Sequence, residues 1–121
     1  MGIRSFFETI AETREKHPEE AMKTHYFRQR YTAVKDALLA YAKTAGYTVK
    51  HVNDTHGELY LEQKNHYVIA TITQMNPVET GLDLKVGFES LIGFNRPRKT
   101  IAGIFAHMKQ SLIFKGTGLN A

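Results

Sequence analysis

Residues 47–89 read YTVKHVNDTHGELYLEQKNHYVIATITQMNPVETGLDLKVGFE. Apolar side chains recur here at every second position, the period of an extended chain. Leu82, Leu84, Val86 and Phe88 alternate with Asp83, Lys85, Gly87 and Glu89. That alternation describes a strand with one face on a core and the other toward water. Glu58–Lys64 repeats the pattern, with acids set between apolar groups. Tyr67–Met75 is apolar on both faces, with Ile69 on one and Val68 and Ile72 on the other, so it is expected in the middle of the sheet. Tyr47–Asn53 supplies a further strand. Asp54-Thr55-His56-Gly57, Lys64-Asn65-His66 and the loop Asn76–Gly81, which contains Pro77, are turn chemistry between these runs. Short loops between successive strands predict a four-stranded antiparallel meander over residues 47–90.

Outside this region the period becomes helical. Ile3, Phe6, Phe7 and Ile10 mark a short N-terminal helix within residues 1–17, running from Arg4 to about Lys16. His17–Pro18 closes it, because the residue before a proline disfavours the helical region. Pro18 then opens a long helix over 18–46, on which Phe27, Tyr31, Val34, Leu38, Tyr41 and Ala45 draw one apolar stripe. Gly46 ends it. Downstream, Asn95 and Pro97 start a last helix over 95–115, with Ile101, Ile104, Phe105, Met108 and Leu112 on its inner side. Residues 116–121 form a loose tail. The expected fold is one α+β domain over 1–121 in the order α-α-β-β-β-β-α: two N-terminal helices, a four-stranded meander, and a C-terminal helix packed on one sheet face. Leu38, Ile69, Val86 and Phe105 are expected deep in the core.

The chain has 121 residues, 42% of them hydrophobic, enough to fill a single core. It has no cysteine, which excludes disulfides, a thiolate nucleophile and cysteine-based metal sites, and which suits a cytoplasmic location. No apolar run approaches the ~20 residues of a membrane span, so no membrane partner is expected. There is no phosphate-cradling glycine motif, no H-E-x-x-H and no nucleophile elbow, and Ser5, Ser90 and Ser111 stand in no catalytic context. The expectation is therefore a non-enzymatic protein with no cofactor.

Charge is distributed unevenly. Residues 1–20, 21–50, 51–89 and 90–121 carry −2, +5, −4 and +5. Basic helical segments and an acidic sheet either complement each other within the molecule or steer a charged partner. Arg96, Arg98 and Lys99 crowd the start of the last helix, where the helix dipole disfavours cations, and are the candidate anion-binding cluster; Glu89 is the competing partner. Arg30 falls on the apolar stripe of the long helix, so that end is a candidate pocket lining or partner surface, together with Tyr31, Tyr41 and Tyr60. Tyr60 lies among Glu58 and Glu62 on the polar side of its strand, which suits a protein partner better than nucleic acid. His51, Asp54 and His56 flank a hairpin turn and are the candidate metal ligands, although exposed turns collect such residues anyway and no metal is expected. The expected function is a small protein-interaction module that binds a protein partner or itself. The alternatives are nucleic-acid or other polyanion binding through the basic segments, and a small-ligand cup between sheet and helices lined by Tyr31, Tyr41 and Phe88.

Overall fold

The computed structural model describes residues 9–89 and 95–118. Its elements follow the order β1 (Ile10–Glu12), a 3-10 turn (Glu20–Met22), β2 (His25–Phe27), α1 (Tyr31–Ala45), β3 (Thr48–Asn53), β4 (Glu58–Glu62), β5 (His66–Asn76), β6 (Glu79–Phe88), α2 (Arg96–Ser111) and β7 (Phe114–Thr117). All strand pairs are antiparallel. The spatial order is β3-β4-β5-β6-β2-β7, with β1 also paired to β6.

The meander β3 to β6 stands where the alternation placed it. The rest of the expected topology is overturned: the sheet has seven strands and the described chain has two α-helices, not an α-α-β-β-β-β-α order. Residues 10–12, expected in a first helix, pair with Gly87, Val86 and Lys85 of β6; the part of that helix before residue 9 lies outside the described residues. The long helix begins at Tyr31, not at Pro18. His25-Tyr26-Phe27 is instead a strand between β6 and β7. His25 and Phe27 point to the helices while Tyr26 covers the other face, so all three are buried and no alternation betrays the strand. Residues 114–117, expected as the end of a helix and a loose tail, form β7 and give β2 its second neighbour; residues 119–121 lie outside the described part.

β1 and β2 lie end to end along one edge of β6. Thr13 bridges the step between them. Its N–H donates to the Leu84 carbonyl at 2.9 Å and its hydroxyl accepts from the Leu84 N–H at 2.9 Å. The same hydroxyl donates to Asp83 at 2.7 Å, and Thr24 donates to the same carboxylate oxygen at 2.8 Å.

Both helices cover one face of the sheet. Leu59, Leu61, Val68, Ala70, Leu82, Leu84 and Val86 meet Val34, Leu38, Ala42, Ile101, Ile104, Phe105 and Met108 in one buried cluster. Leu38, Val86 and Phe105 are buried as expected. Ile69 is not, because in β5 it faces the opposite side and is only half-buried. Among the described residues no helix is long and apolar enough to cross a membrane.

Candidate interaction surface

Neither helix packs on the opposite face of the sheet, and the alternation assigns its side chains. β4 contributes Glu58, Tyr60 and Glu62; β5 contributes Tyr67, Ile69, Thr71 and Thr73; β6 contributes Gly81, Asp83, Lys85 and Gly87. Two glycines in one strand leave gaps in that surface, and tyrosines fill both. A Cβ on Gly87 would sit 2.6 Å from the Tyr67 hydroxyl oxygen and against two of its ring carbons. A Cβ on Gly81 would sit 2.9 Å from Cε1 of Tyr26. Each ring therefore lies down across the strands, in space that only glycine leaves open. Tyr60 stacks on Tyr67, with ring centroids 5.9 Å apart and planes 19° from parallel. The result is an aromatic shelf on the open face, in the offset geometry that ring quadrupoles favour.

Beside the shelf a cleft of about 850 Å³ wraps the β4–β5 turn, with Tyr60, Glu62, Lys64, His66, Tyr67 and Glu89 on its walls. This volume lies in the range of ligand-binding clefts. Behind it, the Nδ1–H of His66 donates to the Asn65 side chain at 2.8 Å, which leaves Nε2 to accept the Tyr47 hydroxyl at 2.7 Å. The imidazole also stacks on Phe88, 4.4 Å between centroids. Burial, then the charge of Arg96, lowers the pKa of His66. Burial, then Tyr41, pushes Tyr47 up to about 12. Tyr47 is thus a neutral phenol at pH 7, hydrogen-bonded to an imidazole whose protonation burial disfavours.

A second, smaller cleft of about 330 Å³ on the same face is lined by Thr13, Thr24, Tyr26, Thr71, Thr73 and Asp83, among others. Burial raises the Asp83 carboxyl above its usual range, more than its two threonine donors lower it, and Glu15 and Glu12 add repulsion. Tyr26 donates to Glu15 at 2.7 Å, and burial first, then that bond, pushes its phenol above the ordinary range.

The other expected site residues do not assemble as groups. Arg98 pairs with Glu19 rather than Glu89, while Arg96 lies over the Phe88 ring, 6.0 Å from its centroid, and Lys99 is exposed. The three cations thus have different neighbours. Arg30 sits in the N-cap position with extended backbone, before the helix and exposed, so it occupies no apolar stripe. Tyr31 is at the start of α1, where its hydroxyl donates to Asp54 at 2.7 Å. Tyr41, ten residues on and about 15 Å along the axis, packs against Tyr47 and His107. Tyr31 and Tyr41 therefore share no cup, and the space between helices and sheet is the core itself. Asp54 is engaged by Tyr31 and by Lys35 at 2.8 Å, whereas His51 pairs across to Tyr60 on the edge strand. Among the described residues no three His, Asp or Glu side chains are grouped as ligands for an ion.

Tyr60 alone of the expected residues belongs to the shelf. Tyr67, Tyr26, Gly81, Gly87 and Asp83 were not singled out. Their available signal is the pair of isolated glycines in the β6 alternation, which marks close approach of another group. Compared with protein-family models, with curated proteins and with solved structures, the chain has no match.

Proposed function

We propose that the chain is a cytoplasmic, non-enzymatic protein-interaction module whose partner lies across the open face of the sheet. The observation that carries this reading is the shelf of Tyr60 and Tyr67 on a face that both helices leave bare. Tyrosine supplies large contact area with little entropy to lose, and it is enriched where proteins meet. The acids of the same face, Glu58, Glu62 and Asp83, disfavour a polyanion there.

A photoreactive benzoylphenylalanine at position 60, compared with one at Ala106 on the exposed side of α2, tests the proposal in the cells that make the protein. The expected result is a discrete adduct from position 60 and none from position 106. Adducts from position 106 alone, or from neither, would refute the open face as the partner surface.

A further inference from the structure

We infer that the cleft beside Tyr60 and Tyr67 seats an arginine side chain of the partner, so that the open face recognises an arginine-bearing segment of another protein. This rests on the interaction-module reading and specifies its partner.

Three observations converge on a planar cation. The first is the shelf itself. The hydroxyl end of the Tyr67 ring lies over Gly87 and Tyr60 is nearly parallel to it at 5.9 Å, so two roughly parallel rings stand beside the cleft for a flat group to stack on. A ring face attracts a cation through its quadrupole. The second is charge. Glu62 and Glu89 stand on the walls of this cleft, and Glu58 is on the same sheet face. Lys64 also lines the cleft, and Lys50 reaches Glu62 only at 3.9 Å, across exposed side chains. An exposed pair at that distance holds its partner weakly, so Glu62 remains available to a better-placed donor. Across the wider face Glu12, Glu15, Glu58, Glu62, Asp83 and Glu89 stand against Arg14, Lys50, Lys64 and Lys85, an excess of acids. That excess favours a cationic group over an anionic one. The third is His66, on the same wall, whose pKa is lowered by burial and then by the charge of Arg96, which itself lies over the Phe88 ring, so the imidazole does not add a second cation to the cleft.

Between the two basic side chains, arginine fits better. Its guanidinium is flat, stacks on an aromatic face and still offers a fork of N–H donors to a carboxylate at its edge. Lysine presents a compact, strongly hydrated charge that gains less from the shelf.

The test uses the whole chain and an acetylated, amidated pentapeptide of alternating arginine and threonine. Lysine and citrulline versions serve as comparisons. Amide shifts are followed by NMR at low and moderate salt. The expected result is saturable shifts centred on Tyr60, Glu62, Tyr67 and Gly87, weakening as salt rises. The lysine peptide is expected to bind several-fold more weakly, and the citrulline peptide not at all. Tyr60→Ala and the shape-conserving double variant Glu62→Gln/Glu89→Gln should each weaken the arginine peptide about 5-fold, the equivalent of ~1 kcal/mol for an exposed cation–π or ion pair. Unchanged dispersion of the remaining amides shows that each variant is folded. Equal binding of the three peptides, shifts on the helix layer, or full affinity in both variants would overturn the inference. If the arginine peptide fails while position 60 still yields its crosslink, the arginine assignment falls and the module reading stands. If both fail, the module reading falls with it. A mass that rises with concentration and reverts in Tyr60→Ala would overturn the arginine-bearing partner in favour of a second copy of the chain.

Discussion

Replacing Gly87 by alanine should cost stability only while Tyr67 is present. The added Cβ would sit 2.6 Å from the tyrosine hydroxyl oxygen, well inside contact distance, and nearer to the ring carbons. The ring must then lift from the sheet and loosen its stack on Tyr60, 5.9 Å away. Overpacking of a well-filled site costs about 1–3 kcal/mol. The clashing atoms are the far end of a half-buried side chain that is able to swing, so the lower half of that range, ~1–2 kcal/mol, is expected. In a Tyr67→Ala background the obstruction is gone. Alanine is there favoured over glycine in a strand by ~0.5–1 kcal/mol, and the same substitution should turn neutral or stabilising. A double-mutant cycle from urea unfolding at pH 7 should therefore return a coupling of at least ~1 kcal/mol. If Gly87→Ala costs the same with and without Tyr67, the ring does not lie on the sheet and the shelf does not exist.

Asp83→Asn should be no less stable than the parent at pH 7, whereas Asp83→Ala should lose ~1–3 kcal/mol by stripping Thr13 and Thr24 of their acceptor. Burial raises the Asp83 pKa in the fold, so its charge is a cost above that pKa, and asparagine keeps an acceptor without it. An Asp83→Asn loss as large as that of Asp83→Ala in urea melts would contradict this. His25, buried against the Phe105 ring at 3.5 Å and donating to the Lys23 carbonyl, has its pKa lowered to about 4, mainly by burial. Its folded value lies below the unfolded one near 6.5, so the contribution is complete above pH ~6.5 and is lost as pH falls toward 4. The shift is worth ~3 kcal/mol, and urea unfolding at pH 7 and pH 4.5 should lose less stability in His25→Phe than in the parent; equal losses would refute the linkage. Leu38→Ala, at a fully buried position, should cost ~2–5 kcal/mol, and a loss under ~1 kcal/mol would mean that the inner face of α1 is misplaced.

The four strands bounded by turn chemistry were readable, two of them by alternation, and the short strands without either signal were missed. β4 and β6 announce themselves because Leu59 and Leu61, and Leu82, Leu84 and Val86, face the helices while polar groups or glycine stand between them. β2 gives no such signal. His25 and Phe27 enter the core, and Tyr26 is buried on the other side by lying over Gly81, so three consecutive residues read as uniformly apolar. Phe27 also stands four residues before Tyr31, which mimics a helical step across what is a strand, a link and a cap. β1 and β7 span three and four residues, too short for any period to register. Helix ends fared better where backbone chemistry fixes them. Gly46 takes the left-handed C-cap with φ 83°, and Pro97 lies in the first turn of α2. Tyr60 was visible as an aromatic among acids. The shelf was not, because it depends on a cross-strand meeting of Tyr67 with Gly87 that only the β5–β6 register defines. Glu19, which pairs with Arg98, is likewise hidden from a local reading of Arg96, Arg98 and Lys99, because it lies 79 residues away in sequence.

Because the chain has no cysteine, a single introduced thiol is a unique reporter of whether the open face is covered. Thr73→Cys places one on that face, at an exposed position of β5, and Ala106→Cys places a control on the exposed side of α2. The rate of maleimide alkylation is measured for each in the cells that make the protein and again in the purified chain. If a partner lies across the open face, position 73 reacts several-fold more slowly in cells than in isolation, while position 106 reacts at the same rate in both. Equal rates at position 73 in the two settings, or protection at position 106 alone, would contradict the assignment of the open face as the interaction surface.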